Sequence, residues 1–469
     1  MTDTIAAIAT PKGTGGIAVI RISGPSAFEI GKKIFRPKNK KTPFADISPN
    51  TAVLGDITDN AGTLIDEGIA VKFSAPRSYT GEDTAEISCH GGVYIAFAVF
   101  EAAVNAGARP ALPGEFTKTA YLNGKISLTG AEAVGRLISA SGKNGARLAR
   151  AQAKGSLSKK ILAVSGKIKD ILSEVYVFID YPDEDLSDMP PGLMLEKLKG
   201  IKSELFGLRE TYKIGRIISD GIECAIAGRP NSGKSTLLNL LSGSDTAIVH
   251  DTPGTTRDIV YAKTEIGGFA INLYDTAGIR ESKSGIENIG IKKAREKIAG
   301  CGLIVGVFDA GSKLTGEDRN VIEILKKEKE AGKKIIAVFN KCDKAIKADP
   351  GEIPPDLGPV LAISAKFGTV SNSNISVIEA FGERLDELYS LGHRDLDAGE
   401  ILTEERQYLE ICAACENVGS AISALENGFT QDAAGLDLEY AVKNLDRCDS
   451  AAVAEDIVER IFKNFCIGK

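Results

Sequence analysis

Long apolar runs are missing from this chain of 469 residues. No stretch of about 18 apolar residues occurs, so we expect no membrane-spanning helix. Residues 1–4 carry neither the basic nor the apolar region of a signal peptide, which predicts a cytoplasmic protein. The composition, 43% hydrophobic and 26% charged, is typical of globular proteins, and the length suggests about three domains.

Cysteines at the spacing of a zinc site or a secreted disulfide framework are also missing, although the chain has eight cysteines. Only Cys412 and Cys415 form a C-x-x-C pair, and the sequence around them has a helical pattern. We therefore expect this pair to lie on an apolar helix face.

The chain also lacks an excess of basic residues, because its net charge is −6. Proteins that coat nucleic acid without specificity need many lysines and arginines to displace counterions. The charge balance excludes that class of protein, but it leaves room for a local basic patch.

The most informative segment that is present runs from Gly228 to Ser235 and has the form G-x-x-x-x-G-K-S. A strand-like run, residues 222–227, precedes it, and a helix-like run follows it. In such a loop the backbone N–H groups surround phosphate oxygens, Lys234 reaches the β and γ phosphates, and the Ser235 hydroxyl ligates Mg²⁺. The order of strand, loop and helix predicts binding of a nucleoside triphosphate.

Four further segments follow in the order of a GTPase domain. They are residues 251–258, Asp275-Thr276-Ala277-Gly278, Asn340-Lys341-Cys342-Asp343 and Ser364-Ala365-Lys366. Asp275 is placed to hold the Mg²⁺ shell, and Thr256 to complete Mg²⁺ coordination when a γ-phosphate is present. Asp343 can accept the N1 and N2 protons of guanine, a pair of donors that adenine lacks. The set therefore predicts GTP as the ligand.

The predicted GTP-binding residues come from these segments and the phosphate loop. They are Asn231, Ser232, Gly233, Lys234, Ser235, Thr236, Thr255, Thr256, Asp275, Thr276, Ala277, Gly278, Asn340, Lys341, Asp343, Ser364 and Ala365.

The catalytic group is less evident, because Ile279 occupies the position where many small GTPases carry a water-orienting glutamine. Isoleucine can neither orient nor deprotonate water, and the transition-state charge needs a cation. Glu281 and Glu287 are the nearby carboxylates, and Arg257 and Arg280 are the nearby cations. The residues alone leave these alternatives open.

The pattern of the whole chain predicts a multidomain protein with an inserted GTPase domain. Residues 1–118 alternate short strand-like runs with Gly/Pro turns and one helical run, which indicates an α+β domain. Residues 119–216 and 379–469 are helical, and residues 217–378 carry the GTPase motifs as an α/β P-loop domain. We expect the two helical segments to pack together as one discontinuous domain around the insertion.

Besides the ordered GTPase motifs, the sequence carries short blocks in its first 125 residues and the C-terminal Cys466-Ile467-Gly468-Lys469. The blocks are residues 3–11, 15–24, 78–83, 89–92, 113–117 and 122–125. Together these segments resemble the MnmE family of tRNA modification GTPases, also called TrmE. The resemblance covers the whole chain, whereas the phosphate loop and residues 251–258 also resemble ribosome-assembly GTPases.

The resemblance implies an enzyme that acts with an FAD-binding partner, MnmG, on the wobble uridine of certain tRNAs. An aminomethyl-type group would be added at C5, with the one-carbon unit taken from a reduced folate of the 5-formyl- or 5,10-methylene-tetrahydrofolate type. The family implies a homodimer formed through the N-terminal domain, and a heterotetramer with MnmG. It also implies K⁺ in place of an arginine finger.

Residue roles follow from the same resemblance. Glu287 matches the family glutamate that positions the attacking water, whereas Glu281 matches a position without that role. Ser235 and Thr256 match Mg²⁺ ligands, and the matches to the K⁺ site are Asn231, His250, Thr252 and Thr255. The matches to the folate site are Arg21, Glu86, Lys125 and Lys469, with Cys466 as a candidate reactive thiol if it lies near that pocket.

Two departures from the family pattern concern the GTPase domain. Ser232 replaces a more usual alanine, and Pro253 stiffens the K⁺ loop and removes an N–H group. The alternative functions are a ribosome-assembly GTPase or a regulatory switch. Neither alternative explains Arg21, Glu86 and Lys125.

Overall fold

The computed structural model describes residues 3–39, 41–180, 190–243, 261–275, 300–389, 395–449, 455–463 and 465–468. Two compact units are present. The first consists of Met1–Gly135, Gln152–Phe206 and Leu409–Lys469, and the second of Arg136–Ala151 and Gly207–Tyr408.

The first unit begins with a seven-stranded sheet in the order β3-β4-β5-β6-β2-β1-β7. Its strands are β1 (Ile5–Ile8), β2 (Ile17–Ser23), β3 (Phe35–Pro37), β4 (Val53–Thr58), β5 (Leu64–Phe73), β6 (Thr84–His90) and β7 (Arg109–Pro110). All neighbours pair antiparallel except β1 and β7. Helices α1 (Ala27–Ile34) and α2 (Val93–Asn105) pack on this sheet.

The alternation of residues along β2 and β6 decides which side chains meet the helices. Ile20, Ile22 and Ile87 are fully buried in the core shared with α1 and α2. Because successive strand residues point to opposite faces, Arg21 and Glu86 lie on the other face of the sheet. That α+β arrangement agrees with the prediction for the N-terminal segment.

Helices follow the first sheet along the chain. They are α3 (Glu115–Leu122), α4 (Leu128–Ser139), α5 (Lys143–Ala153), α6 (Ser156–Asp180), α7 (Pro191–Glu210) and α8 (Tyr212–Asp220). Apolar residues recur along α6 at helical spacing, and these seven are all buried: Leu157, Ile161, Val164, Ile168, Ile171, Leu172 and Val175. This confirms the helical periodicity of that segment.

The second unit contains another seven-stranded sheet, in the order β14-β13-β12-β11-β8-β10-β9. Its strands are β8 (Ile222–Ala227), β9 (Tyr261–Ile266), β10 (Phe269–Asp275), β11 (Leu303–Asp309), β12 (Lys334–Asn340), β13 (Leu361–Ser364) and β14 (Thr369–Val370). The helices around it are α9 (Lys234–Ser242), α10 (Gly316–Glu330) and α11 (Val377–Tyr389).

The five central strands of this sheet are parallel, and alternate residues enter cores on both faces. On β11, for example, Val305 and Val307 lie in one core, while Ile304 and Phe308 lie in the other. Sheets buried on both faces in this way belong to α/β folds, as predicted for the GTPase segment. Carboxyl ends of parallel strands meet at one edge, where such folds bind ligands.

Three further helices lie near the end of the chain: α12 (Glu405–Glu426), α13 (Gln431–Asp449) and α14 (Glu455–Phe462). α13 packs along α6, although the two helices are separated in sequence by the whole second sheet. The expected pairing of the two helical segments is therefore present. Cys412 and Cys415 lie on α12, with Cys415 buried, as the pattern predicted.

The helices that the structure describes include none with both the length and the hydropathy to cross a membrane. The bounds of the four predicted segments stay predictions.

Candidate functional site

The phosphate loop follows β8 and ends in α9, so the predicted order of strand, loop and helix is present. Gly233 has φ +96°, and a Cβ there would lie 2.1 Å from Asn340 Nδ2. A Cβ on Gly228 would lie 2.4 Å from the carbonyl oxygen of Val307. Both positions therefore require glycine, one for its backbone conformation and both for close packing.

Inside the loop, the buried Lys234 donates from Nζ to the carbonyl oxygen of Arg229 at 2.8 Å. Ser235 and Thr236 lie in the first turn of α9, which begins at Lys234, and both are exposed. Their backbone N–H groups belong to the positive end of the helix dipole. This arrangement is suited to an anion with several oxygens.

Asn340 connects the loop with the two segments that are predicted to recognise the base. Its Nδ2 donates to the carbonyl oxygen of Ser232 at 3.1 Å, and its Oδ1 accepts from the N–H groups of Lys341 and Ala365 at 2.8 and 2.9 Å. The side chain is 2% exposed. One amide thus fixes the phosphate loop, its own motif and residues 364–365 relative to one another.

Asp343 is exposed at the same edge of the sheet and accepts from Ser364 Oγ at 2.7 Å. This hydrogen bond holds the pKa of Asp343 below its ordinary value. The carboxylate is therefore ionised at neutral pH and keeps acceptor capacity for a pair of N–H donors such as those of guanine.

Several predicted residues of this site lie outside the described residues. They are Thr255, Thr256, Thr276, Ala277, Gly278, Glu287, His250 and Thr252, together with the alternatives Arg257, Arg280 and Glu281. Asp275 is the last residue of β10, and the structure describes its backbone but not its side chain.

Two acidic residues at this edge, Asp309 and Asp318, were not among the predicted site residues. Asp309 is the last residue of β11 and accepts from Lys341 Nζ at 2.8 Å. Asp318 is buried in the first turn of α10 and lies 3.1 Å from Arg229 Nε. A signal for Asp309 was present, because it ends an apolar run as Asn340 does.

A second cluster lies on the first unit's sheet, on the face away from α1 and α2. Arg21 Nε donates to Glu86 Oε1 at 2.8 Å across the β2–β6 pair. The guanidinium carbon lies 5.5 Å from the ring centre of Tyr79 and 5.6 Å from that of Phe116. The result is a paired charge beside two aromatic rings.

The end of the chain reaches this cluster. The carbonyl oxygen of Gly468 accepts from Arg21 Nη1 at 3.4 Å, and that of Cys466 accepts from the N–H of Gly114, also at 3.4 Å. Cys466 is exposed. The structure thus places the C-terminal motif beside Arg21, while Lys469 itself lies outside the described residues.

Lys125 has a different partner, since its Nζ donates to the carbonyl oxygen of Pro76 at 2.8 Å. Pro76 and Tyr79 lie in the same loop between β5 and β6, so this hydrogen bond ties the lysine to that loop. Burial raises the pKa of the Tyr79 hydroxyl above its ordinary value. It outweighs the opposing effects of the hydrogen bond with Thr117 and of the nearby Arg21. Tyr79 and Phe116 were not predicted individually, although both lie in blocks that carried the family resemblance.

Within the described part of the chain, no group of three or more His, Cys, Asp or Glu residues is placed to hold a metal ion.

Comparison with known protein families decides the assignment. Residues 4–125 match the family model described as GTP-binding protein TrmE N-terminus, and residues 128–466 match the MnmE helical domain model. The chain belongs to the MnmE family. As a member of this family, it is a GTP-hydrolysing enzyme of tRNA modification, and such enzymes work on nucleotide with Mg²⁺.

Relatives of similar length support the assignment across the chain. Each of the following carries the name tRNA modification GTPase MnmE. The protein of Acetivibrio thermocellus is 36% identical over 470 residues, covering 100% of this chain and 99% of the relative. Those of Thermoanaerobacter sp. and Clostridioides difficile are 38% and 37% identical with the same coverage.

Solved structures that resemble the chain are partial matches. The G domain of the T. maritima FeoB iron transporter is 29% identical, with a TM-score of 0.28, and the match covers 36% of this chain and 98% of that one. Aquifex aeolicus Era is 23% identical with a TM-score of 0.27, covering 42% and 66%.

Proposed function

We propose that this MnmE-family GTPase is K⁺-dependent and acts with an FAD-binding MnmG-type protein. The pair would install an aminomethyl-type group at C5 of the wobble uridine of certain tRNAs, using a one-carbon unit from a reduced folate. The observation that carries the proposal is the cluster on the first sheet, where Arg21 and Glu86 meet the family's C-terminal motif. The proposal also includes a homodimer, and a heterotetramer with the partner.

The K⁺ part of the proposal is supported by Asn231. This residue is exposed, with φ +60°, and its carbonyl oxygen is held by Lys341 Nζ at 2.5 Å. The fixed backbone leaves the side-chain oxygen at the loop surface, and hard oxygen ligands suit an alkali cation. When bound, K⁺ would supply positive charge to the transition state at the place of an arginine finger.

A comparison of GTP turnover in K⁺ and Na⁺ buffers at equal ionic strength tests this part. We expect faster turnover in K⁺ and a loss of that preference in Asn231→Ala. Equal rates of the unchanged protein in the two salts would refute K⁺ dependence.

Glu287 is proposed to position the attacking water. The variant Glu287→Ala should lose hydrolysis while its GTP affinity stays close to that of the unchanged protein, because the residue would act only on the reacting water. Glu281→Ala is the matched control and should keep its activity. A large loss of nucleotide affinity in Glu287→Ala would instead indicate a structural role.

The folate part is supported by the chemistry of the first-sheet cluster. Two aromatic rings beside a guanidinium and a carboxylate fit a flat heterocycle that carries amine donors and a charged tail. Glu86 would accept from the pterin amine and ring nitrogen, and Arg21, with Lys125 and Lys469, would pair with the glutamyl carboxylates. A bound folate would supply the one-carbon unit.

Titration of the full chain with 5-formyl-tetrahydrofolate tests the folate site and also separates the proposal from the other GTPase classes, which predict no folate binding. Arg21→Gln and Glu86→Gln should each weaken binding about tenfold or more, as expected for loss of a charge-assisted hydrogen bond. Lys38→Gln, which removes an exposed charge at the β3–β4 edge, should bind normally. Unchanged binding in Arg21→Gln would place the folate elsewhere.

Cys466 stays a candidate reactive group. Its exposure allows selective alkylation in a variant that lacks the other accessible thiols. Unchanged tRNA modification after alkylation would remove it from the mechanism.

The modification itself is tested by nucleoside analysis of the wobble uridine in tRNA from cells that lack the gene. We expect the aminomethyl-type group at C5 to be missing. Its presence at the normal level would contradict the proposed role.

A further inference from the structure

The nucleotide edge of the second unit contains a charge cluster that the GTPase motifs do not explain. It consists of Arg229, Asp309, Asp318 and Lys341, and is called the anchor cluster here. Their side chains are 18%, 14%, 1% and 26% exposed. Two of the four, Arg229 and Lys341, belong to the phosphate loop and the base-recognition motif respectively.

Arg229 is held from outside the loop. Its Nη2 donates to Ser312 Oγ at 2.6 Å and lies 3.7 Å from Asp309 Oδ2, and its Nε lies 3.1 Å from Asp318 Oδ2. Asp318 also accepts from the N–H and hydroxyl of Thr315, the N-cap of α10. Among the described residues, Asp318 Oδ1 has no hydrogen-bond partner. The guanidinium of Arg229 therefore supplies the positive charge that offsets the cost of burying the Asp318 carboxylate.

Asp309 connects this pair with the base-recognition motif. Its Oδ2 accepts from Lys341 Nζ, and its Oδ1 accepts from the N–H of Gly311 at 2.9 Å. Burial alone would raise the pKa of Asp309, but the bonds from Lys341 and Gly311 outweigh it and hold the pKa below its ordinary value. The carboxylate is thus charged and turned toward both cations.

Lys341 completes the path back to the loop, because the same Nζ donates to the carbonyl oxygen of Asn231. The loop is consequently held at two points by one carboxylate, through the guanidinium of Arg229 and through the carbonyl of Asn231. Lys234 binds the Arg229 carbonyl from within the loop. A phosphate loop binds well only when its N–H groups are already turned inward, because ordering them during binding reduces affinity.

We propose that Asp309 and Arg229 are positioning residues for nucleotide binding, which hold the phosphate loop in its binding conformation and in register with the guanine motif. They touch neither the reacting phosphate nor the base in this role, and act through Lys341, Asn231 and the loop backbone. The inference concerns the shared GTPase activity and requires neither K⁺ dependence nor folate binding, although Asn231 also belongs to the proposed K⁺ site.

The test measures binding of methylanthraniloyl-GDP to the full-length protein in Mg²⁺ buffer, followed by steady-state GTP turnover. Asp309→Asn and Arg229→Gln should each weaken GDP binding about tenfold, mainly through faster dissociation. KM for GTP should rise while kcat stays within about twofold, because the proposed groups around the γ-phosphate are unchanged. Arg229→Lys keeps the positive charge but loses the planar guanidinium with its several N–H donors. Its GDP affinity should therefore lie between those of Arg229→Gln and the unchanged protein.

The matched control is Arg319→Gln, which removes the same charge from α10. Arg319 is exposed and lies 3.7 Å from Glu352, a pair outside the anchor cluster. Its GDP affinity should stay within about twofold of that of the unchanged protein.

GDP affinities of Asp309→Asn and Arg229→Gln within twofold of the unchanged protein would overturn the proposal. An equal loss in Arg319→Gln would also overturn it, because the effect would then be general electrostatics. If Asp309→Asn does not fold, the GDP affinities of the two Arg229 variants decide. An affinity of Arg229→Lys between those of Arg229→Gln and the unchanged protein supports positioning. Equal affinities of Arg229→Lys and Arg229→Gln contradict it.

Discussion

At the scale of single residues, the phosphate loop contains one side chain that does not fit its surroundings. Ser232 is fully buried, and among the described residues its hydroxyl has no hydrogen-bond partner. An unpaired buried hydroxyl costs folding free energy, since it loses its bonds to water without replacing them. The family's more usual alanine would avoid that cost.

We therefore expect Ser232→Ala to raise the free energy of unfolding by about 1 kcal/mol without loss of GTP binding. Ser242→Ala on α9 is the control, because that hydroxyl donates to the carbonyl of Asn239 at 3.2 Å and its removal should be destabilising. Urea unfolding of both variants checks the opposite signs. A destabilised Ser232→Ala would show that the hydroxyl has a role in the folded loop.

Glu82 provides a pH-dependent prediction at the same scale. Burial raises the pKa of this carboxyl, and the hydrogen bond from Ser23 only partly opposes the effect. A raised folded-state pKa means that stability is highest with Glu82 protonated, below its unfolded pKa of about 4.3, and falls as the pH rises through the folded-state pKa.

Glu82→Gln should therefore raise the unfolding temperature at pH 7, and this gain should shrink toward pH 4. Asp66→Asn should show the opposite sign, because the bonds from His90 outweigh burial and lower the pKa of Asp66. Thermal unfolding across this pH range measures both. A gain in Glu82→Gln that does not change with pH would contradict the titration argument.

At the scale of elements, α8 packs on the chain segment before α12 at a distance that only glycine allows. A Cβ on Gly215 would lie 1.9 Å from the carbonyl oxygen of Leu402. A hydrogen bond joins the same two parts, because Thr211 Oγ1 accepts from the N–H of Leu402 at 2.9 Å. The ring of Tyr212 on α8 also stacks on that of Tyr408 in α12. Close backbone approach therefore fixes the position of α8, which leads into β8 and the phosphate loop.

Gly215→Ala should lower the free energy of unfolding by about 1–3 kcal/mol, because the backbone has to shift to admit the methyl group. Gly207→Ala on α7 is the matched control, since a Cβ at that position would meet no atom within 4 Å beyond its chain neighbours and the backbone of its own helix. That variant should gain about 0.5–1 kcal/mol from helix propensity. Equal effects in urea unfolding would contradict the packing argument.

At the scale of the whole molecule, Asp449 joins helices from the two halves of the helical sequence. Buried at the end of α13, it accepts from the N–H of Thr129 at 3.2 Å, from the Thr129 hydroxyl and from Ser158 Oγ. Thr129 lies on α4 and Ser158 on α6, 320 and 291 residues away in sequence. The polar cluster complements the packing of α13 on α6.

Asp449→Ala should destabilise the first unit by about 2–4 kcal/mol, because several buried donors lose their acceptor. Asp446→Ala, one turn earlier on α13, removes only an exposed pair with Lys169 and should change stability by less than about 0.5 kcal/mol. The unfolding midpoint of helical circular dichroism reports both. A neutral Asp449→Ala would show that apolar packing alone holds the helices together.

The sequence determined the features that depend on contiguous residues. The phosphate loop, its preceding strand and its helix form one local unit, so the pattern of glycines and apolar residues predicted all three. The periodicity of α6 and the order of the GTPase motifs were predictable for the same reason. Family membership also followed from short blocks, such as residues 78–83 and the C-terminal motif.

Tertiary structure decided which distant residues meet. The pairing register of β2 with β6 brings Glu86 to Arg21, and the last residues of the chain then reach the same point. Asp309 became recognisable as a partner of Arg229 only because the parallel strands β8 and β11 end at a common edge, and Asp318 only because the first turn of α10 reaches Arg229. Charge pairing across such separations depends on register and side-chain direction, which a linear pattern does not encode.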